Sequence, residues 1–90
     1  MKFELVTPAK KIASFEVEQV IIPGSEGMFG VLKGHQPVLS MLKPGLLRAI
    51  KADGTEQVFT VGNGFVDVTG KSVSVLAERA AVYAGPASEA

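Results

Sequence analysis

Cysteine and tryptophan are absent from the 90 residues of this chain, and histidine and tyrosine occur once each. Without cysteine there is no disulfide framework and no thiolate to act as nucleophile or ligand. A single histidine, His35, leaves no cluster from which to build a zinc site. An excess of charge of either sign is lacking too, since nine basic residues balance nine acidic ones. With so few aromatics, the chain has neither the basic stripe nor the stacking platforms of a nucleic-acid binder. It has no polybasic segment to attract an anionic membrane surface, and no apolar run of membrane-spanning length. Met1-Lys2-Phe3-Glu4-Leu5 alternates charge and hydrophobe from the start. No signal or transit segment is therefore expected, and the chain is expected to begin at its own natural start.

What is present is apolar and turn-rich: 47% of the residues are hydrophobic and ten are glycine. In so small a domain that apolar content is expected to fill a dense core, with some left over for a partner. The periodicity is that of strands. Phe3 and Leu5 alternate with Lys2 and Glu4, and Val73 and Val75 with Ser72 and Ser74. Val58–Val61 and Phe65–Val68 are rich in β-branched and aromatic residues, and Glu16–Ile22 reads as one strand that is half-exposed at first and apolar at its end. Ala52-Asp53-Gly54-Thr55 predicts a hairpin between Leu46–Lys51 and Glu56–Val61. Thr69-Gly70-Lys71 predicts a second tight connection, and Gly62-Asn63-Gly64 a place for positive φ. Helical spacing is sustained nowhere. The pattern predicts an all-β chain, a flattened antiparallel β-sandwich of about eight to ten short strands, over residues 1–84 with a flexible tail at 85–90.

No catalytic, cofactor-binding or metal site is expected. Gly70-Lys71-Ser72 ends like a phosphate loop, but Phe65 stands where that motif needs glycine, and a strand follows where it needs a helix. Glu16 and Glu18 share a strand face in this reading, where a wet edge is the usual role of such a pair. A swinging-arm carrier domain modified on Lys71 would also be a small β-domain, yet no methionine or aspartate flanks that lysine. That carrier, or some other small β binding module, is the alternative to the assignment that follows.

Pro23-Gly24-Ser25-Glu26-Gly27-Met28-Phe29-Gly30-Val31-Leu32-Lys33-Gly34-His35-Gln36-Pro37-Val38-Leu39 closely resembles the signature of the epsilon subunit of F-type ATP synthase, called delta in mitochondria. The likeness continues through Leu42-Lys43-Pro44-Gly45, Gly62–Val68 and Val73–Ala80. It implies the N-terminal β-sandwich of a non-catalytic central-stalk subunit, which binds the gamma subunit and the polar loops of the c-ring and couples proton flow to ATP synthesis. It also implies a peripheral position at the cytoplasmic face of the bacterial inner membrane, with neither nucleic acid nor inserted lipid as partner. By the same resemblance Glu26, Gly27, Met28 and Phe29 would face the c-ring, while Thr7, His35, Gln36 and Ser40 would lie near gamma. Two residues depart from the pattern: Met28 stands where the family commonly has an acid, and Lys33 where it has proline. Family members commonly continue into a two-helix C-terminal domain. Val82-Tyr83-Ala84-Gly85-Pro86 replaces that lead-in, so a short form without helical inhibition is expected.

Overall fold

The structure is a computed structural model that describes residues 1–83, so the tail expected at 85–90 lies outside the described residues. Ten strands follow one another: β1 (Lys2–Val6), β2 (Lys11–Glu16), β3 (Gln19–Gly24), β4 (Gly27–Leu32), β5 (Val38–Leu42), β6 (Gly45–Ile50), β7 (Glu56–Val61), β8 (Gly64–Val68), β9 (Ser72–Ala77) and β10 (Ala80–Val82). No helix occurs among the described residues. The strands make one sheet in the order β10-β7-β6-β3-β5-β8-β9-β1-β2, with β4 paired to β3 outside that path. The sheet folds back on itself, nearly closed, as a β-sandwich.

Alternation decides which residues face inward. Phe3 and Leu5 of β1, Val66 and Val68 of β8, and Val73 and Val75 of β9 are all buried, with polar or exposed residues between them. The facing half contributes Val20, Ile22, Leu47 and Phe59 to the same cluster. Phe3 joins the halves, its ring edge-on to Phe15 at 5.4 Å between centroids and tilted against Phe59 at 5.9 Å. The Lys51 ammonium sits 4.9 Å above Phe15, which ties the β6–β7 turn to the β2 edge.

Three features differ from the sequence-based expectations. The pairing of β1 with β9 is parallel, whereas an antiparallel sheet was expected. A parallel pair needs a long connection, and here that connection is the chain from β2 through β8. The run Glu16–Ile22 is broken after Glu16. Val17 N–H donates to the Met1 carbonyl, Glu18 N–H donates to that of Ile50, and the chain passes from one half of the sheet to the other. Glu16 and Glu18 therefore do not share a strand face. Finally, positive φ is found at Gly27, Gly34 and Gly54 but not at Gly62, Gly64 or Gly70. Gly64 is required for space instead: a Cβ there would overlap the Leu76 carbonyl oxygen and lie 2.8 Å from Ala77 Cα.

The Asp53-Gly54 hairpin forms as predicted, with Gly54 at φ 88°. Asp53 Oδ1 accepts hydrogen bonds from the Thr55 N–H at 2.9 Å and the Thr55 hydroxyl at 2.6 Å. Those bonds favour the charged form and hold the Asp53 carboxyl below its ordinary value.

Candidate interaction surface

In a half-solvated sheet the outward positions are normally polar. On β5, β8 and β9 several are not. Register pairs Met41 with Phe65 and Phe65 with Leu76, giving an outward row across three adjacent strands. These side chains are 51%, 48% and 51% exposed. One step along, Leu39, Asp67 and Ser74 form the next row, with Leu39 71% exposed. Strand spacing makes the Met41-to-Leu76 row about 10 Å wide, and the parallel β1 strand extends it to Val6. Four of the large exposed hydrophobics of the described residues thus form one continuous patch.

At one end of the row, Pro8, Asn63, Gly64, Ala77 and Glu78 join Phe65 and Leu76 around a shallow hollow of ≈ 180 Å³. Ligand pockets run from about 300 Å³ upward and enclose their occupant. An open hollow of this size suits a side chain of a docking partner. No group of three or more histidine, cysteine, aspartate or glutamate residues able to hold a metal occurs among the described residues.

The residues singled out from the sequence fall at the two ends of the sheet. The turn between β3 and β4 carries Glu26 and Gly27, the latter at φ 122°. Glu26 is exposed, and its carboxylate accepts no hydrogen bond among the described residues. Met28 is 56% exposed on β4, and Phe29 is half-buried against the core. Ser25 N–H donates to the Met41 carbonyl at 3.0 Å, and Gly24 pairs with Leu42, so this turn lies at the Leu42–Gly64–Ala77 end.

Thr7 lies at that same end, because Val6 pairs with Leu76. Its hydroxyl is committed to the β1–β2 turn: it donates to the Lys10 carbonyl at 3.1 Å and accepts from the Lys10 N–H at 3.3 Å. His35 and Gln36 lie at the opposite end, where Gly34 N–H donates to the Gly70 carbonyl. The His35 Nδ1–H donates to the Gln36 carbonyl at 2.7 Å. Ser40 belongs to β5, but it pairs with the inward-facing Val66 and alternates with Leu39 and Met41. The structure therefore brings Thr7 together with the Glu26–Phe29 turn and separates it from His35 and Gln36. Lys71 is exposed in the β8–β9 turn, where its N–H donates to the Thr69 hydroxyl oxygen at 3.2 Å.

Sequence reasoning did not assign Leu39, Met41, Phe65 or Leu76 to a surface. The signal was available: Val38-Leu39-Ser40-Met41-Leu42 is apolar in both phases of a two-residue period, so one phase must face outward.

The family described as "ATP synthase, Delta/Epsilon chain, beta-sandwich domain" matches residues 1–82. The ATP synthase epsilon chain of Fuscovulum blasticum is 42% identical over 80 residues, covering 89% of this chain and 61% of the relative. That of Myxococcus xanthus is 44% identical over 82 residues, covering 91% of this chain and 60% of the relative. The chain thus spans about three-fifths of the length of the curated relatives it matches. Among solved structures, a chain of the Euglena gracilis mitochondrial ATP synthase, OSCP/F1/c-ring in rotational state 1, aligns with a TM-score of 0.85 and 26% identity. It covers 97% of this chain and 56% of that chain. A chain of the Tetrahymena thermophila mitochondrial ATP synthase central stalk and c-ring has the same fold, with a TM-score of 0.70 at 18% identity, covering 90% and 65%.

Proposed function

Because the chain belongs to the delta/epsilon family of ATP synthase, as its β-sandwich domain, we propose that it is a non-catalytic part of the rotor, held between the gamma subunit and the c-ring. Its work is mechanical. It turns with the central stalk and helps fix gamma to the ring, so that proton flow delivers torque to the catalytic head. The observation that carries this reading is the outward row Met41–Phe65–Leu76, an apolar face on a sheet whose interior is already filled. Gamma covers that row and reaches past Leu39 toward His35 and Gln36 at the opposite end of the sheet, with Ser40 on the inward phase of β5 supporting the strand from behind. The Glu26–Phe29 turn faces the polar loops of the ring, with Met28 contributing packing and Glu26 a free carboxylate. Thr7 supports that end of the sheet. This arrangement puts the chain at the cytoplasmic face of the bacterial inner membrane as a peripheral component; no described helix is long and apolar enough to cross a membrane.

The test is capture of recombinant gamma by this 90-residue chain, followed by ATPase assay of the reconstituted head. Stoichiometric capture with little change in ATPase rate is expected. No capture at micromolar concentrations would overturn the assignment. With capture established, Met28→Glu tests the ring contact: altered retention of the c-ring, with gamma binding intact, is the expected outcome.

A further inference from the structure

Within the apolar patch stands one residue that does not belong to an apolar contact. Asp67 is the only charged residue of β8, flanked across the sheet by Leu39 on β5 and Ser74 on β9, with Phe65 two positions before it on the same face. It is exposed. Aspartate is among the residues least suited to a strand. Nothing in the fold offsets that cost here, because Asp67 takes part in none of the side-chain hydrogen bonds or ion pairs of the described residues. Those ion pairs are Met1 with Glu16, Lys11 with Glu4 at 3.0 Å, and Arg48 with Glu56. Glu4 lies beyond Ser74 in the same row and already has its lysine. Asp67 is therefore an unpaired charge set between Leu39 and the Phe65 row; Lys2 on β1 and Glu78 at the hollow also take part in none of these ion pairs, but they lie at the ends of this face.

We propose that the partner surface covering the Met41–Phe65–Leu76 row carries a cation, an arginine guanidinium or a lysine ammonium, seated against Asp67. This inference rests on the docking role proposed above. Covering the row removes water from Leu39 and from the carboxylate beside it. A carboxylate stripped of water without a partner opposes binding strongly, whereas one met by a cation in good geometry adds specificity. The apolar row supplies area but little orientation, because Met41, Phe65 and Leu76 would accept a partner shifted along the face. The charge of Asp67, beside the row and with Ser74 next to it and the paired Glu4 beyond, fixes the register. An arginine is favoured where two oxygens are offered side by side.

The experiment measures the affinity of the gamma subunit for the wild-type chain, Asp67→Asn and Phe65→Ala at two or more salt concentrations. Because Asp67 is exposed, Asp67→Asn is expected to leave the thermal midpoint of the free chain unchanged. Its affinity for gamma is expected to fall about 30-fold or more, and its salt dependence to become shallower than that of the wild type. If Asp67→Asn binds as tightly as the wild type while Phe65→Ala binds weakly, the face docks gamma but no cation meets Asp67, and the inference is overturned alone. A loss of affinity with an unchanged salt slope also overturns it, since that is the behaviour of a neutral hydrogen-bond partner. If gamma binds the wild type and both variants equally, the face is not the docking site, and both this inference and the placement of gamma fall.

Discussion

The outer surfaces of β5–β8–β9 and of β6–β7 obey the same alternation but differ in how much large apolar side chain they expose. On β5, β8 and β9 the outward row is Met41, Phe65 and Leu76, about half exposed, with Asp67 unpaired at its margin. On β6 and β7 the outward positions are Leu46 and Thr60, Arg48 and Val58, Ile50 and Glu56, of which Val58 is buried and Leu46 and Ile50 are half-buried. There the Arg48 guanidinium donates to Glu56 through Nε at 2.6 Å and Nη2 at 3.1 Å. None of the large exposed hydrophobics lies on β3, β6 or β7, although the neighbouring β4 exposes Met28 and Leu32 and β10 exposes Val82. Both halves bury the same kind of inner row, so packing the core does not explain the contrast. The β6–β7 face pairs its charges with each other, whereas the β5–β8–β9 face exposes a contiguous apolar row with an unpaired carboxylate beside it.

The contrast can be broken most severely by removing what both faces share. Phe3→Ala empties the contact between Phe15 and Phe59 and is expected to cost about 3–5 kcal/mol, lowering the denaturation midpoint. Both faces should melt in one transition, as small two-state domains do. Truncating the apolar row should separate binding from stability. Phe65→Ala is expected to cost about 2 kcal/mol or more of affinity for gamma, while unfolding of the free chain changes by no more than about 1 kcal/mol. Calorimetric titration against gamma, beside a denaturation curve, checks both halves of that statement.

Smaller effects sharpen the comparison. Gly64→Ala places a methyl group against the β9 backbone and is expected to destabilise by about 1–3 kcal/mol. Weaker gamma binding would follow as the Phe65 strand shifts, and amide exchange in β8 and β9 would report the shift. On the other face, Arg48→Ala should cost only about 0.2–1 kcal/mol, because the pair is partly solvated, and should leave gamma affinity unchanged. The same pair predicts a pH dependence. The hydrogen bond from Arg48 lowers the Glu56 carboxyl below its ordinary 4.5. Its contribution is therefore present above that value and is lost as pH falls through the lowered folded-state value. The difference in stability between wild type and Arg48→Ala should shrink over the same acid range.

Much of this architecture is legible in the residues alone. The hairpin at Asp53-Gly54 and the alternation of Phe3/Leu5 and Val73/Val75 need only local information, because turn chemistry and a two-residue period are written in neighbouring residues. The parallel β1–β9 pair is not legible in that way. Nothing near Phe3 says that its partner lies some 70 residues away. The break after Glu16 is hidden because Val17 and Glu18 continue the alternation, and only their bonds to Met1 and Ile50 reveal the crossing. The turn residues Glu26–Phe29 stand out through their resemblance to a family signature. The apolar row escapes notice for a different reason: Met41, Phe65 and Leu76 are far apart in sequence, and only the register makes them one surface.

Because the chain has no cysteine of its own, the central claim can be tested by a thiol on each face. Ser74→Cys puts one beside the apolar row, and Thr60→Cys puts one on the β6–β7 face. Both chains would be assembled into the ATP synthase, and the rate of alkylation compared with that of the free chain. The thiol at position 74 is expected to become strongly protected on assembly, while that at position 60 reacts at close to its free rate. Equal reactivity at the two positions, or protection only at position 60, would contradict it.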